Sequence, residues 1–109
     1  MSAETGKTRR EFLEEAIRQD SSNTFARYGL AMEIMNSEPE AAWAHFQYLL
    51  SHHPDYSPTY YQAGAFLSRH GRIEEARKVL ARGIEVTRSQ SKQHAQSELQ
   101  AALDDLNDQ

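Results

Sequence analysis

Apolar side chains recur along this chain at helical spacing, in six blocks divided by short polar joints, and no block shows the strict alternation of a strand. Phe12, Leu13, Ala16 and Ile17 predict a helix near residues 8–19, after a tail over 1–6 expected to fray. Asp20, Ser21, Ser22 and Asn23 then offer several N-cap side chains. Phe25, Tyr28, Gly29 and Met32 stand at i, i+3, i+4 and i+7 and predict a helix over about 23–36 with that stripe in the core. Ser37-x-x-Glu40 has the form of a capping box, and Pro39 is tolerated in a first turn, so a third helix is expected over about 38–52 through Ala42, Phe46, Leu49 and Leu50.

Pro54 and Pro58 punctuate the next joint, with Ser57-Pro58 as N-cap and first helical residue. Tyr60, Ala63, Gly64 and Leu67 repeat the stripe over about 58–70, and Gly71 can take the left-handed conformation that stops a helix. Ala76, Val79, Leu80, Gly83 and Ile84 mark a fifth helix over about 72–88. Ala95, Leu99, Ala102, Leu103 and Leu106 give the sixth, about 91–106, one apolar face against a Gln- and Asp-rich back.

These blocks echo one another. Tyr28-Gly29 returns as Ala63-Gly64, Glu40-Ala41-Ala42 as Glu74-Glu75-Ala76, and Phe46 as Leu80, at offsets of 34 to 35 residues. A unit this short must stack on a copy of itself to bury its apolar face, which predicts a solenoid. Small residues at matched places (Gly29 and Gly64, Ala42 and Ala76) let two helix backbones approach closely. Glycine inside a helix otherwise costs about 1 kcal/mol relative to alanine.

The chain resembles the tetratricopeptide repeat family, whose unit is an antiparallel pair of helices, A and B. The second unit carries the pattern in Tyr60-Tyr61-Gln62-Ala63-Gly64-Ala65-Phe66-Leu67, then Gly71-Arg72-Ile73-Glu74-Glu75-Ala76 and Leu80. It departs from the pattern at Gly83, where the family has alanine, and at Arg88, where it has proline. The first unit keeps Phe25, Gly29, Ala42, Phe46 and Pro54, with an A–B turn one residue short. The resemblance implies an all-α fold, a right-handed superhelical stack of about six helices in one domain. Its parts are a half repeat over 7–21, repeats over 22–56 and 57–90, and a capping helix over 91–107.

The resemblance further implies a non-enzymatic module that binds a peptide, helix or partner protein along a concave row of A-helix residues. Carried onto this chain, that row is Ala26, Leu30, Glu33 and Ile34, then Tyr61, Ala65, Ser68 and Arg69. Leu30 and Ile34 lie off the predicted core stripe, i,i+4 from each other. They would floor a groove if exposed, or become interhelical core if the first helix covers them; both readings are open in the sequence. An exposed strip there would also suit self-association as a homodimer, the alternative function. The carboxylate-clamp pattern of some family members is absent, since the matching places hold Ala26, Leu30, Gln62 and Pro58.

Composition narrows the alternatives. The 109 residues include no cysteine, which removes disulfides and thiolate metal sites and fits a reducing cytoplasm. No apolar run approaches a membrane span and the polar start lacks a signal-peptide core, so neither membrane nor export is expected. Net charge is −4, yet Arg69, Arg72, Arg77, Lys78, Arg82, Arg88 and Lys92 crowd one stretch. Either that run is a solvated face with Glu74 and Lys78 paired at i,i+4, or it favours an acidic partner; nucleic acid would need more charge and interleaved aromatics.

No two of the five histidines stand at the i,i+4 spacing of a zinc site, so no metal or cofactor is expected. No phosphate loop, nucleophile elbow or metalloprotease helix is present, and adjacent carboxylates such as Asp104-Asp105 read as solvated faces, so no catalysis is expected. Trp43, the sole tryptophan, is either a convex-face anchor or packed against a neighbouring helix.

Overall fold

A computed structural model describes residues 6–108. Apart from Gly6, the tail expected over 1–6 lies outside the described residues. Among them the fold is all-α, in six helices: α1 (Arg9–Gln19), α2 (Thr24–Ile34), α3 (Pro39–His52), α4 (Pro58–Arg69), α5 (Ile73–Ser89) and α6 (Gln93–Asn107). The chain divides into two compact units, Met1–Leu49 and Leu50–Gln109.

In the first unit α1 packs against α2. Thr8 starts α1 with a full capping box: its hydroxyl accepts from the Glu11 N–H, and the Glu11 carboxylate accepts from the Thr8 N–H at 2.8 Å. Asn23 caps α2 by accepting from the Ala26 N–H at 2.9 Å. Leu13 lies over Gly29, and Arg9 pairs with Glu33 at 3.4 Å. Arg10 bridges Glu14 and Glu38, a hydrogen-bonded pairing that holds the Glu38 carboxyl below its ordinary range. Arg27 stacks on the Tyr48 ring of α3, 3.6 Å from its centroid, and donates to His45 Nδ1.

Two expectations fail in this unit. Phe25, assigned to the core stripe, is 65% exposed, and Phe12 of α1 is 60% exposed. The buried face of α2 runs instead through Ala26, Gly29, Leu30, Ala31 and Ile34, because α1 packs on this helix and draws that side inward. Ser37 does not act as the N-cap either. Pro39 is the first residue of α3, which puts Glu38 in the cap position, and the Ser37 hydroxyl donates to the Ile34 carbonyl at 3.4 Å.

In the second unit α4, α5 and α6 pack on one another. Tyr60, Ala63, Phe66, Leu67, Ala76, Leu80, Ile84, Leu99 and Leu106 form its core. Tyr60 donates to the Pro54 carbonyl at 2.6 Å, and burial raises its phenol pKa. Gly64 and Gly83 are the close-approach points: a methyl on Gly64 would stand 2.5 Å from Leu80 Cδ2, and one on Gly83 2.5 Å from Tyr60 Cβ.

Both α4 and α5 end in the same way. Gly71, at φ +76°, lets the Arg72 N–H reach back to the Leu67 carbonyl and the Gly71 N–H to that of Ser68. Ser91, at φ 59°, does the same for α5, with Lys92 bonded to Thr87 and Ser91 to Arg88. Serine in this left-handed region is strained where glycine is not. Ser57 precedes α4 as expected, but its hydroxyl makes no cap bond and accepts from Lys92 Nζ at 3.1 Å instead.

Candidate functional site

Helical spacing builds a cleft in the second unit. Tyr61, Gly64, Ala65 and Ser68 stand at i, i+3, i+4 and i+7 on α4, and Glu98, Ala101, Ala102 and Asp105 stand at the same spacing on α6. These two rows form the walls of an opening of about 340 Å³ whose floor is Gly64, Leu80 and Leu106. Missing bulk at Gly64 admits the Leu80 side chain, which closes the floor with hydrocarbon. Tyr61 is 43% exposed, and Ala65 and Ser68 are half-buried. An aromatic body with a polar tip above an apolar floor is a common anchor for a bound chain.

The eight residues of the expected row fall four in each unit. Tyr61, Ala65 and Ser68 line the cleft, while Arg69 is exposed at the end of α4 and does not. Ala26, Leu30 and Ile34 are buried in the first unit, and Glu33 is exposed beside Arg9. The exposed Leu30 and Ile34 strip that would floor a groove or bury a second copy is therefore not present. Half-buried Trp43 does not line this cleft.

Sequence reasoning missed the α6 wall. Its signal was a second i,i+7 pair, Glu98 and Asp105, one residue out of step with the buried Leu99 and Leu106.

Charge around the cleft is uneven. Glu98 and Asp105 line it and no Lys or Arg does. The cations of α5 and its ends are drawn elsewhere: Arg72 to Glu75, Arg77 to Glu74, Arg88 to Glu85, Arg82 to the Leu50 carbonyl and the Tyr60 ring, and Lys92 to Ser57, while the charge of Lys78 acts on Glu75. Glu74 thus pairs with Arg77 at i,i+3, where Lys78 at i,i+4 was expected. Among the described residues no group of three or more His, Asp or Glu is placed to hold a metal ion, and no helix is long and apolar enough to cross a membrane.

Six helices among the described residues, with Gly29 of α2 and Gly64 of α4 each against a leucine of a neighbouring helix, and a cleft walled by i,i+4 rows define a helical-repeat protein of the kind that presents a surface. The comparison with known proteins makes this specific: a tetratricopeptide repeat family model matches residues 33–103, and the chain belongs to that family. A tetratricopeptide repeat domain protein from Salinibacter ruber, solved in solution by NMR, is 38% identical over 80% of this chain and 89% of its own, with a TM-score of 0.76. A crystal structure of a tetratricopeptide repeat domain protein from the same organism is 37% identical over 78% of this chain and 97% of its own, with a TM-score of 0.73. None of the curated proteins matches the chain. Tetratricopeptide repeat domains are generally non-catalytic modules that mediate protein–protein interaction.

Proposed function

We propose that this protein is a non-enzymatic interaction module that takes a segment of a partner protein in the cleft between α4 and α6. One observation carries the reading: Tyr61, Ala65 and Ser68 present a half-exposed row over the hydrocarbon of Leu80 and Leu106, opposite a second row of matching pitch. Such a trough can bury the apolar face of an extended chain while its rim meets the polar backbone. Family membership supports a binding role and leaves the partner unspecified.

The test is a peptide selected from a random library on the 109-residue chain, mapped by amide chemical shifts. The largest shifts are expected at Tyr61, Ala65, Ser68, Ala101 and Ala102, and Tyr61→Ala should weaken binding about tenfold or more, as loss of an aromatic anchor does. Shifts clustered on α1 to α3, with Tyr61→Ala binding unchanged, would move the site out of this cleft.

A further inference from the structure

The two carboxylates of the α6 wall have little to do within the fold. Among the described residues Glu98 pairs with His94 alone, at 3.4 Å, and no side chain pairs with Asp105. Asp105 also stands in the last turn of α6, where the helix dipole is negative and disfavours an anion, and that turn holds no basic residue. Arg77 reaches this helix end from α5, donating to the Leu106 carbonyl and the Asn107 side chain, but its charge is paired with Glu74. A hydrocarbon trough thus carries negative charge along one wall, a bare aromatic face on the other, and no cation of its own.

We infer that the segment taken by this cleft is cationic, held by Lys or Arg side chains that pair with Glu98 and Asp105 while their methylene stems lie on Tyr61, Ala101 and Ala102. The inference rests on the cleft reading above and adds the chemistry of the occupant. Long basic side chains suit the site because the stem buries apolar surface while the head stays wet, and the Tyr61 ring attracts a cation. Seven residues of helix separate the carboxylates by about 10.5 Å. A peptide in the polyproline II conformation has three residues per turn and rises ~3.1 Å per residue, so two basic residues three apart share one face about 9.3 Å apart, and their flexible stems reach both.

The experiment titrates the whole chain with three pools of end-capped octapeptides, carrying Lys-x-x-Lys, Gln-x-x-Gln or Glu-x-x-Glu in otherwise neutral random sequence. Amide shifts locate binding, and affinities are compared at low salt and at about 0.5 M salt. Exposed ion pairs each contribute up to about fivefold, so the Lys pool should bind roughly tenfold tighter than the Gln pool, with shifts on α4 and α6. That preference should collapse at high salt and in the Glu98→Gln/Asp105→Asn variant. Glu98→Lys/Asp105→Lys should pass it to the Glu pool. Both positions are exposed, and circular dichroism checks that each variant is folded.

Cleft shifts with equal affinity for the Lys and Gln pools would overturn the cationic inference and leave the cleft reading standing. A Lys-pool preference that maps away from α4 and α6, or no shift with any pool at about 1 mM, would overturn both. Concentration-dependent cleft shifts without peptide would show a second copy as the occupant and overturn the inference.

Discussion

Replacing Gly83 by alanine should destabilise this protein, although alanine is the better helix former and is the residue the family carries there. The new methyl would stand 2.5 Å from Tyr60 Cβ, 2.9 Å from Tyr60 Cγ and 3.1 Å from Leu99 Cδ1, where carbon atoms prefer about 3.5–4.0 Å. Tyr60 Cβ is fixed to the backbone, so no rotamer relieves the clash and α4 and α5 must separate. Overpacking of this kind costs about 1–3 kcal/mol, and this contact belongs at the upper end. The helix-propensity gain offsets about 1 kcal/mol, which leaves a net loss near 2 kcal/mol. Gly29→Ala is the control. Its methyl meets only side-chain ends, Leu13 Cδ2 at 3.2 Å and Arg9 Nη2 at 3.4 Å, so the propensity gain should survive in part, about 0.5 kcal/mol.

Urea denaturation followed by far-ultraviolet circular dichroism measures both variants. Gly64→Ala adds a second contrast, because its clash is with the movable Leu80 Cδ2 and Cγ, and Leu80→Ala should abolish its penalty in a double-mutant cycle. No side-chain substitution at Tyr60 that retains a Cβ should rescue Gly83→Ala. A Gly83→Ala protein as stable as the wild type would refute the argument that backbone approach sets the residue at this crossing.

Three further predictions concern local features. Ser91→Gly should stabilise by about 0.5 kcal/mol, since it removes left-handed strain and adds back part as unfolded-chain entropy; an unchanged or lower urea midpoint would contradict this. Burial, then the Arg27 charge, lowers the His45 pKa below its ordinary 6.5. The unfolded chain therefore takes up that proton first as pH falls, so the contribution is full above about pH 6.5 and is lost on the way down through the folded pKa. His45→Gln should flatten stability against pH in that window and leave it unaltered above, and an undiminished slope in urea titrations would sink the assignment. Tyr60→Phe should cost about 1 kcal/mol by leaving the Pro54 carbonyl without its 2.6 Å partner, and a wild-type midpoint would show that water replaces it.

Helix positions were legible in the sequence because their signals are local. Proline starts α3 and α4, Gly71 ends α4, and the 3.6-residue period marks the buried Leu13, Leu49, Leu67, Leu80, Leu99 and Leu106. What was not legible depends on which neighbour arrives. Phe25 and Leu30 both lie on apolar stripes of α2, and only the packing of α1 decides that Leu30 is buried and Phe25 exposed. Ser57 and Ser37 have cap residues' identities, but Lys92 claims one hydroxyl and the Ile34 carbonyl the other. The Schellman turn at Ser91 lacks the glycine that betrays such turns. At the cleft the α4 wall followed from Tyr61, Ala65 and Ser68, while its counterpart on α6 needed the packing of α4, α5 and α6.

That one-residue offset on α6 has an evolutionary consequence. Leu99 and Leu106 fasten the helix to its unit, and Glu98 and Asp105, about 100° around the same cylinder, face the cleft. On the cleft reading proposed above, the charged wall and the leucine seam of this helix are set by different codons, and Leu106 alone serves both, as seam and as cleft floor. Substitutions at 98 and 105 can reverse the sign of the wall without loosening the seam, so under the proposed reading relatives with the same scaffold are free to diverge in what they take up long before they diverge in how they fold.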